Sequence, residues 1–257
     1  LDVKVVDEPI TVIVSNKGWV RVRSGHGHDP AVFTFKAGDD LHGTFECRSI
    51  DTLLVFGNRG RVYSVAVSSL PGSRGDGQPV TTLIDLEPGT QLAYFLAGPA
   101  AATLLLSGSG GYGFIASIEN MTSRLKAGKT FISCADGETV NAPSPVAGLV
   151  GSTPLPPATH VACASAGGRI LTFPIEQINT MASGGRGLKL IDLEAKDTLA
   201  GAAAYTRSVR IAGVGRGGKA RDETLEIRSL NNAMAGRSRK GKAADLGFKP
   251  ASVTRVL

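Results

Sequence analysis

Thr52-Leu53-Leu54-Val55-Phe56, Gly60-Arg61-Val62-Tyr63, Ser73-Arg74-Gly75-Asp76-Gly77 and Leu83-Ile84-Asp85-Leu86 form a series that recurs further on. There it reads His160-Val161-Ala162-Cys163, Gly168-Arg169-Ile170-Leu171, Gly184-Gly185-Arg186-Gly187 and Leu190-Ile191-Asp192-Leu193. Each series runs from a short apolar strand to a second strand led by glycine, a loop rich in glycine and arginine, then a third strand and a fourth. Apolar runs of this length bounded by glycine are strand signals. Four strands in a unit of about 40 to 50 residues mark a radial, propeller-like array.

Five copies fit the chain. Repeat starts fall near Thr11, Thr52, Thr103, His160 and Thr206, spaced by 41, 51, 57 and 46 residues. The expected blades are residues 11–51, 52–102, 103–159, 160–205 and 206–257 of a single domain over 1–257, an all-β body of about five four-stranded blades. Gly18-Trp19-Val20, Gly111-Tyr112-Gly113-Phe114 and Gly218-Lys219-Ala220 stand at the second strand. Val32-Phe33-Thr34-Phe35 and Thr130-Phe131-Ile132-Ser133 stand at the third. The excess length of the third copy lies between Ala142 and Pro157, a Gly/Pro/Ser/Thr stretch that reads as an inserted surface loop.

Composition agrees. Glycine supplies 33 of 257 residues, about twice the usual share of roughly 7%, because many strand reversals need positive φ. Only Ser117–Arg124 and Glu176–Ala182 have room for a turn or two of helix. The hydrophobic fraction is 42% with 5% aromatics, so Val, Leu, Ile and Ala must pack the sheets. With no 18-residue apolar span and no signal-peptide pattern, the expectation is a soluble, cytoplasmic chain, and the missing initiator Met reads as an excised fragment. Cys47, Cys134 and Cys163 are widely spaced and odd in number, which points to reduced, buried thiols.

Charge is uneven. The net formal charge is +6, yet residues 206–257 carry twelve Lys/Arg against four acids, leaving the preceding 205 residues slightly acidic. Elsewhere the cations recur in or beside the glycine-rich loop. They are Arg21, Arg23, His26 and His28 in the first copy and Arg74 in the second. Arg124, Lys126 and Lys129 follow in the third, Arg186 and Lys189 in the fourth, and Arg237, Arg239, Lys240 and Lys242 in the fifth. Equivalent loops of a radial array share a rim, so these residues predict an interrupted basic border, with glycines that let phosphate approach backbone N–H groups. Duplex DNA is the expected ligand, held through phosphates rather than bases.

Other constellations read as structural. Trp19 opens a strand and is expected to pack rather than to stack on a base. His26-Gly27-His28 lacks a third metal ligand nearby. Arg216-Gly217-Gly218-Lys219 lacks the full phosphate-loop frame. Asp85 and Asp192 sit at equivalent places, as turn or edge residues would. No catalytic residue, metal site or cofactor is expected. A protein-binding propeller is the alternative, but neither Trp-Asp ends nor a diglycine-aromatic pattern repeats.

Gly18-Trp19-Val20-Arg21 with Gly27-His28-Asp29, Gly60-Arg61-Val62-Tyr63 leading to Ser73-Arg74-Gly75-Asp76-Gly77-Gln78-Pro79, and Gly110-Gly111-Tyr112-Gly113-Phe114 leading to Ala127-Gly128-Lys129 closely resemble the C-terminal domain of the bacterial DNA topoisomerase IV A subunit. The likeness spans the chain and is looser in the fifth copy. It implies a β-pinwheel, whose blades exchange strands. The QRRGGKG box of the gyrase branch is absent; Ser183-Gly184-Gly185-Arg186-Gly187 and Gly215-Arg216-Gly217-Gly218-Lys219 match it only in part. The resemblance further implies a non-catalytic domain that binds and bends duplex DNA. It would present the duplex to the catalytic N-terminal part of the same polypeptide, which works with the ATPase-bearing B subunit in ATP-dependent strand passage in the bacterial cytoplasm, at the nucleoid. None of Tyr63, Tyr94, Tyr112 and Tyr205 lies in the arginine-tyrosine setting of the cleaving nucleophile.

Overall fold

The structure, a computed structural model, describes residues 4–148 and 153–257 and the backbone of 149 and 150. The chain packs as two compact units. One comprises Leu1–Ala102, Ser117–Thr130 and Gly148–Leu155; the other comprises Thr103–Ala116, Phe131–Ala147 and Pro156–Leu257.

The first unit holds two antiparallel sheets. In one the strand order is Leu41–Arg48, Pro9–Ser15, Trp19–Ser24, Gln78–Pro79; in the other it is Lys129–Thr130, Arg61–Ala66, Thr52–Gly57, Leu92–Gly98. The central strands are buried on both faces, so they read as continuous apolar runs rather than as alternating ones. Val12, Val14, Leu53 and Val55 are fully buried and share one core with Val20, Tyr63 and Val80. Each such aliphatic side chain contributes about 1.5–3 kcal/mol by leaving water.

The second unit holds the other sheets. Ser144–Val150, Thr103–Ser107, Tyr112–Ser117 and Leu188–Lys189 pair in that order, as do Leu199–Tyr205, His160–Ser165, Arg169–Pro174 and Lys242–Ala243. The last sheet has three strands, Ala220–Leu225, Ser208–Val214 and Lys249–Val256. Val161, Cys163, Leu171 and Phe173 are fully buried in one core of this unit, and Ala203, Tyr205, Val209 and Leu230 in another.

One turn serves all five hairpins. The N–H groups of Gly18, Gly60, Gly111, Gly168 and Gly218 donate to the carbonyls three residues earlier, at Ser15, Gly57, Gly108, Ser165 and Gly215. Every one of these glycines has positive φ. This is the three-residue hairpin loop closed by a left-handed residue, and it explains why glycine leads each second strand.

The third strand is different from the expectation. Val32-Phe33-Thr34-Phe35, Leu83-Ile84-Asp85-Leu86 and Leu190-Ile191-Asp192-Leu193 do not form strands. In their place the loops contribute two-residue strands that cross to the preceding repeat's sheet. Gln78–Pro79 pairs with Trp19 and Val20, Lys129–Thr130 with Arg61 and Val62, Leu188–Lys189 with Tyr112 and Gly113, and Lys242–Ala243 with Arg169 and Ile170. Asp85 and Asp192 are equivalent through their backbones: each N–H donates to an incoming loop carbonyl, Lys126 O at 2.9 Å and Arg239 O at 3.0 Å.

Glycine makes the crossing possible. Gly77, Gly128, Gly187 and Gly241 each precede the crossing strand with positive φ. A Cβ there would stand 2.2, 2.3, 2.1 and 2.5 Å from the carbonyl oxygens of Val20, Val62, Gly113 and Ile170. The loop glycines therefore serve close chain packing, not phosphate approach. In the first repeat Gly27 keeps the same left-handed backbone, φ +74°, but a Cβ there would meet nothing within 4 Å.

Two further expectations change. The stretch from Ala142 to Pro157 is no inserted loop: Ser144–Val150 is a strand of the third sheet, with Ser144 opposite Leu105 and Ala147 opposite Thr103, and its far end pairs with the edge strand Thr153–Leu155. Pro145 is tolerated because Thr153–Leu155 pairs only with residues 148–150, which leaves the outer side of Pro145 without a ladder partner. Residues 151 and 152 of that stretch lie outside the described residues. Helix is scarce: Ile118–Met121 is capped by Ser117 and Asn120 in a reciprocal box, Ile175–Gln177 forms one tight turn, and Ile227–Asn232, a helix the sequence pattern did not announce, packs Leu230 inward.

Candidate nucleic-acid interface

In the first unit the basic loops divide by how their guanidinium and ammonium groups are used. Arg21 is 6% exposed. It donates to Gly75 O at 2.7 Å and Thr34 O at 2.6 Å, and lies over the Phe35 ring at 5.2 Å. It fastens the incoming loop to its own strand, so its assignment to a DNA-contacting set is corrected: burial leaves it no face for phosphate. Arg23 is exposed beside Phe33, 5.9 Å from the ring centroid, and His28 meets the same ring edge-on while its Nε2 contacts Ser24 O at 2.8 Å. Arg74, Arg124 and Lys126 are exposed and form no ion pair among the described residues. Lys129 belongs to the crossing strand and is half-buried.

The second unit repeats this pattern with more pairing. Arg186 donates to Glu138 at 2.9 Å and lies 4.2 Å over Tyr112. Lys189 pairs with Asp192 at 3.2 Å, and Lys240 with Glu194 at 3.7 Å. Arg237 donates to Lys189 O at 2.7 Å. Arg239 and Lys242 are exposed with no ion pair among the described residues. Exposed pairs of this kind are worth about 0–1 kcal/mol, so Lys189 and Lys240 can exchange a carboxylate for a phosphate at small cost. Arg186, half-buried and held by a carboxylate and an aromatic face together, is the most committed of these cations.

The crossing glycine gives these residues a common frame. Counting back from Gly128 and Gly241, Arg124 corresponds to Arg237 and Lys126 to Arg239, and Lys129 corresponds to Lys242 one place after. The carbonyls of Lys126, Gly185 and Arg239 accept the same backbone bond, from Asp85, Ser133 and Asp192. Two arginines missed as functional hold the frame. Arg61 donates to Ala127 O and Gly128 O, and Arg169 donates to Gly241 O at 3.2 Å. The signal was present in the matching pairs Gly60-Arg61 and Gly168-Arg169.

The remaining candidates are structural. Trp19 has the Lys36 ammonium 4.0 Å over its ring. His26 Nε2 contacts Cys47 O at 2.8 Å, and among the described residues no group of three or more His, Cys, Asp or Glu is placed to hold a metal. The Gly215–Gly218 turn leads into a strand rather than a helix, so it is no phosphate loop. No helix among the described residues is long and apolar enough to cross a membrane.

Five antiparallel sheets, joined by short strands exchanged between consecutive repeats, define a β-pinwheel of the gyrase A type. The family described as DNA gyrase C-terminal domain, beta-propeller, matches residues 51–89 and 159–205, and the E. coli ParC C-terminal domain superposes with a TM-score of 0.80 at 26% identity, covering 96% of this chain and 98% of that one. The chain belongs to the C-terminal domains of the topoisomerase IV A subunit, relatives of the gyrase A C-terminal domain. The DNA topoisomerase 4 A subunit of Neisseria gonorrhoeae is 38% identical over 92% of this chain and 30% of that protein. The Haemophilus influenzae protein is 32% identical over 94% of this chain and 32% of its own length. The chain thus spans about a third of the curated relatives it matches. A gyrase A C-terminal domain superposes with a TM-score of 0.66 at 16% identity, a likeness of fold alone.

Proposed function

We propose that this chain is a non-catalytic module that holds and bends duplex DNA on its glycine-framed basic loops. It presents the duplex for ATP-dependent strand passage, and so for supercoil relaxation and decatenation, by a catalytic core in the rest of the polypeptide with a separate ATPase partner. The observation that carries this reading is the shared frame: exposed Lys126 and Arg239 stand at corresponding places two residues before a crossing glycine, with exposed Arg124 beside the first and exposed Lys242 just after the second glycine. A polyanion rewards several separated cations through counterion release, whereas one cluster would suit a single phosphate. Arg23, His28, Arg74, Lys129, Arg186, Lys189, Arg237 and Lys240 complete the contact set, without metal or cofactor. In a bacterial cell the module works in the cytoplasm, at the nucleoid. Filter binding of the chain to random-sequence duplex tests it: micromolar or tighter association at low salt, insensitive to sequence, is expected. No retention of duplex at low salt refutes it.

A further inference from the structure

Leu125 is the largest exposed apolar side chain of the basic loops, at 69% exposure. Single exposed leucines are ordinary, but this one is presented unusually. The Leu125 N–H donates to Ser123 Oγ at 3.2 Å, the Ser123 N–H to Ser64 Oγ at 2.9 Å, and the Gly128 N–H to Leu125 O at 2.9 Å. Arg61 grips Ala127 O and Gly128 O, and the Asp85 N–H holds Lys126 O. The backbone of the loop is thus fastened from end to end, yet Arg124, Leu125 and Lys126 are all exposed. The corresponding loop positions, three before the crossing glycine, are Arg74, Gly184 and Ser238. An aliphatic tip occurs once.

We propose that Leu125 is a wedge that enters the minor groove of bound duplex and opens one base step, while Arg124 and Lys126 hold the phosphates on either side. Residues two apart span at most about 7 Å, which matches a minor groove about 6 Å wide. Apolar side chains inserted between base steps unstack them and kink the duplex by about 20–90°, a cost of a few kcal/mol repaid by the contacts that the bend permits. A pinned loop delivers such a side chain without ordering cost at the moment of binding. The wedge fixes where the bend occurs, a property that the phosphate contacts alone do not set.

This inference rests on duplex binding by the basic loops, and the experiment separates the two. The chain and its Leu125→Ala and Leu125→Met variants are titrated with a 30-base-pair duplex, labelled at its ends for energy transfer and carrying 2-aminopurine at pyrimidine–purine steps, which unstack most readily. Wild type and Leu125→Met should brighten 2-aminopurine at least twofold and shorten the end-to-end distance. Leu125→Ala should lose the brightening and at least half of the shortening, while its dependence of affinity on salt stays unchanged. Equal brightening and bending by wild type and Leu125→Ala overturns the wedge and leaves the tip for a protein partner. Failure of wild type to bind duplex at all overturns the basic-loop reading, and the wedge with it.

Discussion

Gly187 passes so close to Gly113 that a Cβ on Gly187 would stand 2.1 Å from the Gly113 carbonyl oxygen. No shift of one flexible side chain relieves that contact, because the obstacle is backbone, and the positive φ of Gly187 adds strain of its own. Gly187→Ala should therefore destabilise the chain by more than about 2 kcal/mol in urea unfolding. Gly27→Ala shares only the left-handed backbone and should cost about 1 kcal/mol. Equal costs at the two positions would contradict the crossing role.

Arg21 and the exposed cations should separate cleanly by mutation. Arg21→Ala removes two charge-assisted bonds to Gly75 O and Thr34 O and should cost about 2–3 kcal/mol. Arg74, Arg124, Lys126 and Arg239 changed together to Glu should leave thermal stability within about 0.5 kcal/mol per site while weakening duplex binding at least tenfold. Calorimetry and filter binding on the same preparations read the two effects.

Asp51 makes stability depend on pH. Burial raises its carboxyl above the ordinary range, and the Asp7 charge adds to this, partly offset by the Arg48 N–H bond and guanidinium. A carboxyl raised on folding lends stability that is complete below the unfolded value, about 3.9, and lost as pH rises through the folded one. Asp51→Asn keeps an acceptor for the Arg48 N–H and removes the ionisation. The variant should unfold at higher temperature than wild type at pH 7, the gap closing toward pH 4.

Thiol chemistry offers an independent check on the cores. Burial pushes the Cys47 and Cys163 thiols up to about 12, so neither supplies thiolate at neutral pH. Cys134 is only partly covered. Iodoacetamide at pH 8 should label Cys134 first, and Cys47 and Cys163 at the rate of global unfolding, as mass spectrometry of digested samples would show.

What the sequence revealed follows from what each signal encodes. Thr52-Leu53-Leu54-Val55-Phe56 and the glycine-led strands were legible because local pairing needs an apolar run and a left-handed turn residue. Leu83-Ile84-Asp85-Leu86 misled: Ile84 is buried and the leucines half-buried, yet the Leu83 N–H closes a local turn on Val80 O and the Asp85 N–H bonds Lys126 O of a neighbouring repeat. The outer strands Leu41–Arg48 and Leu92–Gly98 are partly exposed, and Ser144–Val150 carries proline, so periodicity marked them faintly. The basic loops were visible as charge, but charge alone did not separate Arg21, which holds the chain together, from Arg74 or Lys126. That distinction depends on which carbonyls lie across the crossing.

Counting the cations that bind phosphate tests the central claim most directly. Log affinity for a random-sequence duplex, plotted against log salt, should fall with a slope near −4.5 for about five neutralised phosphates, each cation adding about −0.9. Changing Arg74, Arg124, Lys126 and Arg239 to Ala should flatten the slope by about 0.9 for each of the four that holds a phosphate. An unchanged slope in that variant, or a flat line for the wild-type chain, would contradict the account.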